Sequence, residues 1–107
     1  MNFDNTISQM RKGILEYCIL AVISRGEIYT SEILSELKEA NLIVVEGTLY
    51  PLLTRLKNAG LLSYSWKESV QGPPRKYFEL TEKGIHFLGE LDKTWNELNN
   101  SINKSLT

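Results

Sequence analysis

A chain of 107 residues, 42% of them hydrophobic, suits one domain with a compact core. Twelve basic and 13 acidic residues give a net charge of −1, so the molecule is no polycation, and its overall charge gives no hint of nucleic acid. A single cysteine, Cys18, excludes an internal disulfide and a cysteine-based zinc site within the chain, and with no membrane-length apolar run and no signal-peptide pattern in "MNFDNTISQMRKG" the chain reads as soluble and cytoplasmic.

Residues 7–24 place Ile7, Met10, Ile14, Cys18 and Ala21 at steps of three and four, with Leu15, Ile19 and Val22 beside them. This predicts a helix apolar over more than half its circumference and therefore covered from two sides. Arg25-Gly26-Glu27 closes it. Thr30 or Ser31 then caps a second helix, with Ile33, Leu34 and Leu37 inward and Glu32, Glu36 and Glu39 on an acidic, solvated edge. "NLIVV" is a connector.

In "EGTLYPLLTRLKNAG", residues 46–60, Leu49, Leu52, Leu53, Leu56 and Gly60 fall in one arc of a third helix. Gly47, Tyr50, Pro51, Thr54 and Asn58 lie opposite, flanked by Thr48, Arg55 and Lys57. Proline normally costs about 3 kcal/mol inside a helix. In a first turn, where the N–H groups are unpaired, it costs less, and Gly47 gives the crowded carbonyl freedom to adjust. Period two follows in "LLSYSWKE", which puts Leu62, Tyr64 and Trp66 on one face, expected to pack inwards on the helices. "SVQGPP" is a six-residue tip, and "RKYFEL" returns to complete a two-stranded hairpin. Thr81 caps a last helix, in which Leu88, Leu91, Trp95, Leu98 and Ile102 form a heptad seam. Gly84 and Gly89 weaken that helix.

The predicted architecture is mainly α with a two-stranded β wing: a winged helix-turn-helix over residues 1–80 and a C-terminal dimerisation helix over 81–107, compact with helix one. Such folds place the second helix of the pair in the major groove and the hairpin on the backbone. Local charge agrees, since residues 46–80 carry five basic groups and three acidic ones. Thr48, Tyr50 and Thr54 offer hydroxyls to bases or phosphates, and Arg55 a guanidinium fork.

"EGTLYPLLTRLKNAGLL" followed by "GPPRKYFELTEKG", with "GILEYCILAVISRGEIYTSEIL" upstream, closely resembles the PadR-like family of transcriptional regulators, the phenolic acid decarboxylase regulators. The resemblance covers residues 10–88. It implies a dimeric winged-helix regulator, usually a repressor, that binds a double-stranded operator and leaves it when a small molecule binds. It assigns Thr48, Tyr50, Pro51 and Arg55 to the DNA-facing helix, and Gln71, Gly72, Arg75 and Lys76, with Lys67 beside them, to the wing. One helix beyond the wing resembles the short subfamily, whose dimer uses the first and last helices. Along that seam, Leu88, Leu91, Trp95, Leu98 and Ile102 are expected at the interface. Trp95 is either dimer core or a platform for a planar aromatic ligand of multidrug or phenolic type, lined also by Met10, Ile14, Tyr17, Leu91 and Asn99.

Cys18 is read as a structural thiol and His86 as a surface residue. No triad, carboxylate pair, metal site or phosphate loop is present in the sequence, so neither an enzyme nor a cofactor is expected. The competing reading is a protein-interaction adaptor that keeps the winged domain but does not contact DNA.

Overall fold

The computed structural model describes residues 1–107, and its first element begins earlier than the apolar periodicity does. Helix α1 spans Phe3–Ile23, because the Asn2 side chain accepts from the Asn5 N–H (3.2 Å) and caps a polar first turn. Gly26, at φ +141°, turns the chain into β1, Ile28–Tyr29. Helix α2, Thr30–Glu39, follows at once; Glu32 accepts from the Tyr29 N–H (3.3 Å), so the cap lies one residue before Thr30. Asn41 takes the left-handed conformation at φ 64°, and the Leu42 N–H returns to the Leu37 carbonyl (2.8 Å), which stops the helix.

Helix α3, Glu46–Asn58, accommodates Pro51, and Gly60 at φ +82° ends it where "NAG" predicts. Leu49, Leu53 and Leu56 are buried, while Gly47, Tyr50, Pro51 and Thr54 are exposed. Strands β2, Leu62–Ser69, and β3, Gly72–Leu80, form the hairpin. Helix α4, Glu82–Leu106, closes the chain; the Thr81 hydroxyl accepts from the Gly84 N–H (3.0 Å) as its cap.

Three expectations are corrected. The sheet has three antiparallel strands in the order β1-β3-β2, with Ile28 opposite Phe78 and Tyr29 opposite Tyr77. A two-residue strand is too short to show a period, so the sequence displays only the hairpin. The hairpin tip is Val70–Gln71 rather than six residues long, with Gly72 at φ +132°. Pro73 and Pro74 are tolerated because β1 reaches no further than Tyr77, leaving one side of β3 free of a ladder, and a register irregularity lies at Lys67/Ser69. The apolar face of the hairpin packs on the helices only at its base: Leu62 and Phe78 are buried, whereas Trp66 is 64% exposed.

The core gathers Ile19, Leu20, Ile23, Ile33, Leu37, Leu49, Leu53 and Phe78, so α1, α2, α3 and the sheet base share one apolar centre. Leu88 and Leu91 of α4 pack against its edge. Beyond Leu91 every residue of α4 is exposed. Cys18 is half-buried beside the core, and burial pushes its thiol pKa up, so it stays protonated. His86 is exposed.

Candidate nucleic-acid interface and apolar cleft

The outer surface of α3 carries Thr48, Tyr50, Pro51 and Thr54 together, and apart from Glu46 in the first turn it holds no acid. Leucines on the inner arc fix its rotation, so this polar strip faces solvent as the periodicity requires. Between it, the start of α2 and the wing runs a groove of about 420 Å³. Thr30 and Ser31 line it from α2, Tyr50 from α3, and Trp66, Arg75 and Lys76 from the wing, with Glu46 the one carboxylate.

The cations of this surface are held in place. The Arg75 guanidinium lies 4.4 Å from the Tyr29 ring centre, and the Lys76 ammonium 3.9 Å from that of Tyr64 and 5.9 Å from Trp66. Arg55, 60% exposed at its side chain, donates through Nη2 to Glu16 of α1. Lys67 donates to Glu27, in the turn before β1, and that bond raises the lysine pKa. Gln71 stands exposed at the wing tip next to Gly72. All ten residues expected to face DNA therefore belong to α3 or the wing, but two of the cations reach back to carboxylates rather than out to solvent.

Tyr29, Thr30, Ser31 and Trp66 line this groove without having been expected there. The period-two pattern assigns Trp66 to the same face as Leu62, which is correct: Trp66 pairs with Lys76 and Leu62 with Leu80. What periodicity cannot show is that this face leaves the helices after Phe78 and becomes the wall of the groove.

A second, apolar cleft of about 360 Å³ separates α1 from α4. Met10, Ile14, Tyr17, Leu91 and Trp95, five of the six residues expected at an effector site, line it, joined by Leu98 and Ile102. Asn99 does not line it: at 100° per residue, Leu91, Leu98 and Ile102 all lie to one side of Trp95 and Asn99 to the other. Gln9, Gly13 and Thr94 complete the wall.

At this cleft the Tyr17 hydroxyl donates to the Asp92 carboxylate, tying α1 to α4. That bond, with partial desolvation and the Asp92 charge, pushes the phenol pKa up to about 12. Because the folded-state pKa lies above the unfolded value near 10, the bond's stabilisation is complete below that value and is lost as pH rises through about 12. In an ultraviolet titration of the five tyrosines, one phenol is expected to ionise near pH 12, and Tyr17→Phe is expected to remove that step. A Tyr17→Phe titration that keeps the late step would place it on another tyrosine.

Two helices joined by a short connector, the second with a polar outer face, and a strand hairpin beside it define a winged helix-turn-helix protein. The sequence narrows this further. A family model described as the transcriptional regulator PadR-like family matches residues 19–90, and the chain belongs to that family, whose members are transcriptional regulators and not enzymes. Among solved structures, a PadR-like transcription factor from Bacteroides fragilis is 64% identical, covers 94% of this chain and 97% of its own, and superposes with a TM-score of 0.80. A PadR-like transcriptional regulator from Bacillus cereus is 39% identical over 92% of this chain and 97% of its own, at a TM-score of 0.82. Bacillus subtilis PadR, solved in complex with operator DNA, is 25% identical over 73% of this chain and 45% of its own, at 0.67. No helix of the structure is long and apolar enough to cross a membrane.

Proposed function

We propose that this chain is a dimeric, sequence-specific DNA-binding regulator, a repressor released from its operator by a small planar aromatic molecule. The observation that carries the DNA reading is the strip Thr48, Tyr50, Pro51 and Thr54 on α3, bordered by Arg55 and by the basic wing residues Lys67, Arg75 and Lys76, in a chain of the PadR-like family. The complex of the Bacillus subtilis relative with operator DNA supports it. Residues 1–80 read DNA and residues 81–107 hold two subunits together. The two reading helices then meet successive major grooves about 34 Å apart, or a multiple of that spacing.

The cleft beside Trp95 supports the effector reading. It is apolar, large enough for a flat aromatic molecule and poor in polar anchors, which suits broad ligand choice. A ligand wedged between α1 and α4 changes the angle at which each reading head leaves the dimer. It releases DNA to the extent that it prefers the dimer whose heads do not match the groove spacing.

Fluorescence anisotropy of a labelled fragment from upstream of the gene tests both parts against scrambled DNA. Arg55→Ala is expected to weaken operator binding by about 1–3 kcal/mol if the guanidinium forks onto a guanine. Trp95→Ala is expected to keep operator affinity and lose the release caused by a planar dye. Equal, weak binding to both DNAs would remove the regulator reading in favour of a protein adaptor. A Trp95→Ala variant that still responds to dye would return Trp95 to the dimer core.

A further inference from the structure

Two of the four cations expected to contact DNA, Arg55 and Lys67, are paired with acids that lie off α3 and the wing. Glu16 belongs to α1, behind α3, and its side chain is only 21% exposed. Glu27 lies in the turn between α1 and β1. Nη2 of Arg55 is shared by both two-donor edges of the guanidinium, so its bond to Glu16 takes one edge out of use for bidentate recognition. Lys67, a point charge, is covered by Glu27 in the same way. An extended polyanion approaching α3 and the wing meets these two cations already neutralised.

We propose that Glu16 and Glu27 are built-in competitors of DNA, and that each lowers operator affinity by holding a cation, Arg55 or Lys67, that DNA must take from it. This rests on the DNA-binding reading above. Glu16 has a second consequence. It lies between Ile14 and Tyr17, which line the apolar cleft, so the helix that bounds the cleft also grips the arginine of the reading helix. A displacement of α1 by a molecule in the cleft therefore tightens or loosens the hold on Arg55 directly.

The isosteric substitutions Glu16→Gln and Glu27→Gln test this in the full-length chain, by anisotropy on its operator across a salt series. Exposed ion pairs are weak, so each substitution is expected to tighten binding by about two- to five-fold. Each should also steepen the plot of log affinity against log salt, by up to about one, because no freed carboxylate then recruits a cation from solution. In an Arg55→Gln background, Glu16→Gln is expected to change nothing, since the cation it restrains is gone. Operator binding that weakens or stays the same in Glu16→Gln, with a wild-type melting curve, would overturn the proposal and make Glu16 a support for Arg55 instead. An equal gain in the Arg55→Gln background would also overturn it, by reducing the effect to general loss of negative charge. If Arg55→Gln and Lys67→Gln themselves leave operator binding intact, the assignment of α3 and the wing to DNA fails along with it; if they weaken binding while Glu16→Gln is neutral, only the competition fails.

Discussion

Gly84→Ala is expected to destabilise the protein by about 3 kcal/mol or more, lowering the midpoint of a circular-dichroism melt by more than about 10 °C. Gly84 is the only buried residue of α4, and a Cβ there would overlap the Leu61 carbonyl oxygen and lie 3.1 Å from its carbon. Those atoms are backbone and have no rotamer to escape into. Leu61 cannot yield easily, because its carbonyl accepts from the Thr81 N–H (3.1 Å) and the adjacent Gly60 carbonyl accepts from the Thr81 hydroxyl (2.6 Å). Lys83 adds a bond from its ammonium to the Ala59 carbonyl (2.8 Å), where the C-terminal end of α3 favours a cation. An added methyl group would lift α4 off this junction and strain all three bonds. Gly89 is the internal control: open space surrounds its missing side chain, and Gly89→Ala is expected to stabilise by about 0.5–1 kcal/mol through helix propensity. Melts should be compared at one protein concentration, since any association shifts the midpoint. Equal effects at the two glycines would mean that the close approach of α4 to Leu61 does not exist in solution.

That pair of glycines illustrates where the sequence stops being legible. Both interrupt the same helical pattern, and propensity alone gives them the same cost. Only the tertiary approach of α4 to the α3–β2 turn separates them. The same holds for Trp66, whose face the alternation assigns correctly but whose burial depends on how far the helices extend beneath the wing. Strand β1 escaped notice because two residues cannot declare a period, and the first turn of α1 because it is polar and rests on a cap. The arc of leucines in α3, the cap at Thr81 and the stop at Gly60 were legible because each is decided within a few residues. Five of the six cleft residues were reached through the family resemblance, and Asn99 was misplaced because only the angular order around Trp95 separates it from Leu98 and Ile102. The pairing of Arg55 with Glu16 was not legible. It joins residues 39 positions apart on helices whose crossing no local pattern specifies.

The junction at Gly84 also bears on the proposed release by a ligand. The start of α4 is bonded to the α3–β2 turn through Thr81 and Lys83, while its middle is tied to α1 by Tyr17 and Asp92. Helix α3 and the helix that carries Trp95 therefore move as neighbours rather than across a flexible linker. In the proposed dimer, a change in how two copies of α4 meet would become a change in how far apart two copies of α3 stand. Small angular changes suffice, because α4 is a lever of 25 residues, about 37 Å long at 1.5 Å per residue.

Leu98→Asp, and independently Ile102→Asp, are expected to convert a dimer into monomers at micromolar concentration and to reduce operator affinity by about 100-fold or more. The seam read from the sequence divides in two. Leu88 and Leu91 serve the chain's own core, whereas Trp95, Leu98 and Ile102 are exposed at 37%, 53% and 48%. Leu106 continues that row, and Met10 and Ile14 of α1 add apolar surface beside it. A helix with no buried residue over its last four turns is marginal in water, so an apolar stripe there needs a partner to remain helical. In the proposed dimer a second copy of the chain is that partner: around a two-fold axis the α4 stripe of each subunit would meet α1 and α4 of the other. A buried carboxylate at position 98 or 102 would face its symmetry mate without a counter-ion, a cost that the modest apolar area of the stripe cannot offset. Sedimentation velocity reads the mass, and far-UV circular dichroism reads the helix lost beyond Leu91 in the monomer. The monomer should still melt cooperatively, because none of the fully buried residues lies in α4 past Gly84. Its DNA binding should fall because one reading head gains nothing from the other. A wild-type chain that sediments as a monomer, with α4 fully helical, would refute the two-fold seam.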